Sequence, residues 1–157
     1  MSTQSSNAAK PTDEEPKPHV RRRKRRSTRT RRDPEAAALA LARDMADAVD
    51  AVGTDRQDIL NAALIAARFL RARNLPGRWD RLDIPALMKA QRFSDPMAEG
   101  RFLFALAGLV GYAGIEGRLG REPARAALTA IAEIADSPII HQFARQTALQ
   151  LDRPADA

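Results

Sequence analysis

The sequence predicts an all-α protein. A compact bundle of about six helices at residues 33–152 follows a disordered, arginine-rich arm at 1–32 and precedes a short disordered tail at 153–157. Three observations predict it. From Asp33 onward, apolar residues return at three- and four-residue steps, the spacing of one helix face. Residues with cap chemistry stand just ahead of those runs. No stretch alternates apolar and polar positions with the β-branched and aromatic content of a strand, and aromatics are only 4% of the chain.

The first helix opens with Asp33 as N-cap, Pro34 at the first helical position and Glu35 favouring the dipole, and Gly53 is expected to close it. Leu41, Met45, Val49 and Val52 mark its inner side. The second starts at Thr54, where Thr54-Asp55-Arg56-Gln57 has capping-box spacing. Ile59, Leu60, Ala63, Leu64, Ala67 and Leu70 line it, and Leu75-Pro76-Gly77 stops it. A loop with the only tryptophan, Trp79, leads to Asp83, which caps a short helix bearing Ile84, Leu87 and Met88.

Ser94-Asp95-Pro96 opens the fourth and most apolar helix, expected to reach Gly111 or Ala113. Its stretch from Phe102 to Ile115 is shorter than the roughly 20 residues a membrane span needs, so a buried central helix is expected. Arg121 to Asp136 gives the cleanest amphipathic pattern, with Ala124, Leu128, Ile131 and Ala135 inward and Arg125, Thr129 and Glu133 outward. Ser137-Pro138 begins the last helix, with Ile140, Phe143, Ala144, Thr147 and Leu151 on one face. Gln142, Gln146 and Gln150 form a polar stripe on that helix.

Charge is unevenly spread. Residues 1–32 carry eleven Lys/Arg against three Asp/Glu, while the other 125 carry fifteen against seventeen. The first twenty residues, rich in Ser and Pro, lack the apolar surface to offset their ordering entropy. The next twelve are Arg21, Arg22, Arg23, Lys24, Arg25, Arg26, Ser27, Thr28, Arg29, Thr30, Arg31 and Arg32, nine of them basic. Such a block repels itself and stays extended until it meets an anion. Phosphates are the natural partner: each one neutralised releases a counterion, and arginine's planar fork grips two oxygens at once. The block also fits the loose pattern of a nuclear address, and phosphorylation of Ser27 or Thr28 would weaken its charge. Arginine supplies 22 of the 26 basic residues throughout the chain, so clustering carries more information than the choice of arginine over lysine. The residues after the block are too charged to be the apolar part of an export signal.

A second basic patch is expected on the body from Arg68, Arg71, Arg73, Arg78 and Arg81, with Trp79 as a surface on which a base stacks. Arginines late in a helix also complement its dipole, and a lone tryptophan also fills a core gap. Asp44, Asp47 and Asp50 form an acidic stripe, read as a solvated face or as a rest site for the arm. Gly108, Gly111, Gly114, Gly117 and Gly120 recur every third residue. They match no phosphate-binding loop. Gly108 and Gly111 are expected to admit a neighbouring helix, and Gly114 to Gly120 to form a loop. The alternative is a hinge between 33–113 and 121–157.

Chemistry is sparsely equipped. The absence of cysteine removes disulfides, thiol nucleophiles and cysteine-held metals. Two histidines, His19 and His141, leave no ligand spacing for a metal, and no Gly-x-Ser-x-Gly elbow is present. No catalytic residue, metal or cofactor is assigned. The helices at 84–93 and 96–113 have the outline of a helix-turn-helix, but Phe102 to Val110 lacks base-reading side chains, so none is assigned.

The expectation is a small non-enzymatic nucleic-acid-binding accessory protein. Its arm contacts the phosphates of DNA or RNA, and its body docks a partner or self-associates. An Ala/Arg/Asp-rich bacterium suits the composition, with a cytoplasmic location, nucleoid-associated if the target is DNA. The alternative is an all-α interaction module, an adaptor, regulator or delivered effector, whose arm is a docking peptide or an address, nuclear in a eukaryotic cell. An arm on anionic lipid head groups ranks third.

Overall fold

A computed structural model describes residues 33–49 and 55–153. The arm at 1–32, the tail after Arg153, and the positions of Asp50, Val52, Gly53 and Thr54 lie outside the described residues, as does the side chain of Val49. Among the described residues there are six helices and no strand: α1 (Pro34–Val49), α2 (Arg56–Ala72), α3 (Ile84–Ala90), α4 (Pro96–Ile115), α5 (Arg121–Ile134) and α6 (Pro138–Leu151). A single 3-10 turn, Trp79–Arg81, lies between α2 and α3.

The caps explain where the helices begin. Asp33 Oδ1 accepts from the Glu35 amide at 3.1 Å, and Asp83 from Ala86 at 3.1 Å. Asp95 accepts from Ala98 at 2.7 Å, with Pro96 next in the chain. The second helix starts one residue later than the spacing suggests. Asp55, not Thr54, is its N-cap and accepts from Gln57 at 3.1 Å. A carboxylate satisfies orphan amides at a helix start as well as a hydroxyl does, and its charge suits the dipole. Asp95→Ala is expected to destabilise the protein by about 1 kcal/mol. The check is a lower denaturant midpoint at unchanged m-value.

The second helix also ends early, at Ala72. Asn74 takes φ 63°, and the Leu75 amide reaches back to the Leu70 carbonyl at 2.8 Å, closing the helix before Pro76 is reached. Asparagine enters the left-handed region more readily than most residues. The third helix stops at Ala90 because Gln91 is extended, and Phe93 then packs on Phe102 with ring centroids 5.1 Å apart.

The central element is α4. The α1–α2 hairpin packs on one side of it and the α5–α6 hairpin on another, while α3 and the Trp79 turn rest on α5. Both hairpins are antiparallel. Glu35 at the start of α1 meets Arg68 and Arg71 near the end of α2, and the His141 ring in α6 meets the Ala132 carbonyl in α5. The buried stripe of α2 is Ile59, Ala62, Ala63, Ala66, Ala67 and Leu70. Leu60 and Leu64 are only half-buried, and Ala62 and Ala66 replace them inside. Four alanines let the axes approach closely, where leucines would hold them apart.

Two expectations about α4 are corrected. The helix runs to Ile115, 20 residues in all, so it is long and apolar enough to cross a membrane. Length therefore does not argue against a span. Burial does: α4 is covered by α1, α2, α5 and α6 and is the core of this fold. Secondly, Gly114 lies within the helix, not in the loop. Three-residue steps walk around the axis by about 60° each, so successive glycines face different neighbours. A Cβ on Gly108 would lie 2.7 Å from Met45 Cε of α1. One on Gly111 would collide with Thr147 Cγ2 of α6. One on Gly114 would lie 2.9 Å from both Ala124 Cβ of α5 and Leu151 Cδ2 of α6. The loop is Glu116 to Gly120, turned by Gly117 at φ 77°. Because α4 passes unbroken between the two hairpins, the glycines are notches for packing and the hinge alternative finds no break at 113.

The α5 face also differs in detail. Ala124, Leu128 and Ile131 are buried, but Ala135 caps the helix half-exposed, and Arg125 is half-buried rather than outward. Thr147 is the one buried polar side chain among the described core residues, and its hydroxyl donates to the Phe143 carbonyl at 2.8 Å.

Candidate functional site

The nine basic residues from Arg21 to Arg32 lie outside the described residues, so the site that can be built atom by atom is the second basic patch. It divides into two ion clusters, each centred on a carboxylate. The antiparallel α1–α2 hairpin brings Glu35, two residues past the cap, against the last turns of α2. There Arg71 Nη2 lies 2.9 Å from Glu35 Oε2 and Arg68 Nε lies 3.4 Å from Oε1. The carboxylate is the sheltered partner at 20% exposure, while both arginines are 58% exposed. Arg73, past the end of the helix, lies over the Phe69 ring, 4.7 Å from its centroid, a cation–π contact.

The second cluster surrounds Trp79. Arg78 donates to Asp80 through Nε at 3.0 Å and Nη2 at 2.9 Å, and Arg81 approaches the same carboxylate at 3.9 Å. These hydrogen bonds from Arg78, ahead of other influences, hold the Asp80 carboxyl below its ordinary value and raise Arg78 above its own. Trp79 is half-buried against the core, so only part of its ring is open for stacking. The sequence places these six residues close along the chain. The structure ties Arg68 and Arg71 to α1, and Arg78 and Arg81 to their own turn.

A group whose pKa is lowered by folding contributes stability above the unfolded carboxyl range and loses it as pH falls through the folded value. The Arg78–Asp80 clip is therefore expected to open in acid, below the ordinary carboxylate range. As the only tryptophan, Trp79 reports this. Its emission should change over that acid range, and Asp80→Asn should remove the pH dependence while leaving the far-UV helix signal in place.

The acidic stripe has partners on the body. Asp44 meets Arg118 at 2.7 Å and Asp47 meets Arg56 at 3.0 Å, whereas Asp50 lies outside the described residues. Hydrogen bonding to Asp44 raises Arg118 above its ordinary value, and bonding to Asp58 does the same for Arg101.

Arg125 has a role that its sequence position does not reveal. It sits in an open cleft of about 400 Å³ between α5 and α6, beside His141, Arg145, Glu133 and Asp152. One terminal nitrogen meets Glu122 at 2.7 Å, the other bonds Asp152, and Nε is buried without a partner. Hydrogen bonds that it donates to Glu122 and Asp152 raise Arg125 above its usual value. Two carboxylates thus occupy the guanidinium, which makes it a strut between α5 and the end of α6. His141 Nδ1 faces the Ala132 carbonyl at 2.7 Å, so that nitrogen carries the proton and donates. That bond ties α6 to α5. Among the described residues no three His, Cys, Asp or Glu side chains gather to hold a metal.

No protein family, curated protein or solved structure matches the chain.

Proposed function

We propose that the protein is a non-enzymatic nucleic-acid-binding accessory protein in which Arg21–Arg32 contacts phosphates and the helical body docks a partner or a second copy. The observation that carries this reading is the segregation of charge. Nine of the twelve residues from 21 to 32 are basic, whereas acidic residues slightly outnumber basic ones beyond residue 32. A block of that density meets phosphates by counterion release, which needs no fixed structure and no base reading. The fitting targets are DNA and RNA, and the composition suits a bacterial cytoplasm.

The test is fluorescence-anisotropy binding of the full chain to labelled duplex DNA, single-stranded DNA and structured RNA across a salt series. A variant of the same length, with the nine basic residues changed to glutamine, is the comparison. A steep salt slope that collapses in the variant supports the reading, and no binding by the full chain near physiological salt overturns it.

One observation favours the second reading, an interaction module. Met97 and Ile139 are each 74% exposed and flank a groove of about 440 Å³ with Gly100, Phe104 and Ile140 along it. Apolar side chains this open beside a groove suit a protein partner better than a phosphate. A full chain indifferent to every polyanion in the same experiment shifts the weight to this groove.

A further inference from the structure

The covalent chain fixes where the arm leaves the body. Arg32 is three residues before Glu35, so their Cα atoms are at most about 11 Å apart whatever path the arm takes. Glu35 in turn holds Arg68 and Arg71. The two arginines are therefore held by a residue that lies only three positions along the chain from the last arginine of the arm.

Their present bonding leaves capacity unused. Each guanidinium offers five N–H donors in a fixed fork. Arg68 spends its Nε on Glu35 and Arg71 one terminal nitrogen, and the remainder of both groups is largely open to solvent. Two cations on one carboxylate leave an excess positive charge. Residues three apart on a helix share a face, so both forks serve the same neighbouring anion. The guanidinium ends are the exposed part of this cluster, where ion pairing adds little net stability, and there a phosphate competes for them.

We propose that Arg68 and Arg71 continue the arm's phosphate contacts onto the body, with Glu35 as a resident carboxylate that a nucleic-acid phosphate displaces. This rests on the reading of Arg21–Arg32 as a phosphate-binding arm. Asp47–Arg56 serves as an internal control, being an ion pair at the opposite end of the same hairpin.

The experiment uses the full chain and a labelled 20-base-pair duplex across a salt series. Arg68→Gln with Arg71→Gln is expected to flatten the slope of log K against log salt by about 1 to 2, near 0.9 for each phosphate no longer neutralised. Arg56→Gln is expected to leave it unchanged, and Arg68→Lys with Arg71→Lys to restore most of it. Glu35→Gln should tighten binding severalfold, because the phosphate then has no competitor. Two outcomes overturn the proposal while leaving the arm reading intact: a wild-type slope in the Arg68/Arg71 glutamine variant, or no tightening with Glu35→Gln. Failure of the wild-type chain to bind removes the arm reading itself, and the proposal with it. Melting curves for each variant show that the changes arise from binding rather than unfolding.

Discussion

Changing the nine basic residues between Arg21 and Arg32 to glutamine is expected to lower affinity for duplex DNA by at least a hundredfold at about 0.1 M salt. With roughly six phosphates neutralised, the wild-type slope lies near −5, and raising salt from 50 to 200 mM costs about a thousandfold in affinity. The variant should show a slope nearer −1 to −2, the share carried by Arg68 and Arg71. Chain length is unchanged, so an excluded-volume or tethering effect would not move. A second variant with all nine residues as lysine separates charge from geometry. Counterion release counts charges, so lysine should keep most of the slope, and any remaining deficit measures the arginine fork. Equal binding by wild type and the glutamine variant would place recognition in the helices instead.

Gly111→Leu is expected to cost about 3 kcal/mol or more, a large share of the roughly 5–15 kcal/mol that holds a domain of this size. Gly111 is buried where α6 crosses α4, and any Cβ there meets the γ-methyl of Thr147. Thr147 cannot swing away freely, because it is β-branched and its hydroxyl is engaged with the Phe143 carbonyl. Alanine is the informative smaller change. It gains helix propensity of about 1 kcal/mol over glycine but meets the same methyl, so the net effect is destabilising. Thr147→Ser deletes that methyl and keeps the hydroxyl. Combining it with Gly111→Ala should therefore recover most of the loss. Chemical denaturation of the four chains in this cycle gives the coupling directly. Additive single effects would show that α6 is not seated in the Gly111 notch.

Helix identity is legible in the sequence because it depends on local chemistry. Asp33, Asp83 and Asp95 each cap the helix that the sequence assigns to them. The inward face of α2 is not, because the choice between Ala62/Ala66 and Leu60/Leu64 depends on how closely α1 approaches. The full length of α4 is hidden for a related reason. The notch at Gly111 is expected from the sequence, but Gly114 reads as loop, and only the atoms of Ala124 and Leu151 show that its missing side chain is occupied space. Within the candidate site, the grouping of Arg68 with Arg71 follows from helical spacing. Its focus on Glu35, 33 residues away in the chain from Arg68, does not. Long-range ion pairs such as Arg118–Asp44 leave no periodic trace in a sequence.

The notched α4 has a consequence during synthesis. As the chain leaves the ribosome, α1 and α2 precede α4, but the covers of Gly111 and Gly114 come from α5 and α6 and follow it. At about 5–20 residues per second, the most apolar helix waits on the order of seconds for its last partner. Throughout that interval a nascent chain displays a sticky, half-dressed helix, the kind of segment to which holdase chaperones bind. Thr147 and Leu151 close that window, so damage near the C-terminus should surface as lost yield before it surfaces as lost activity.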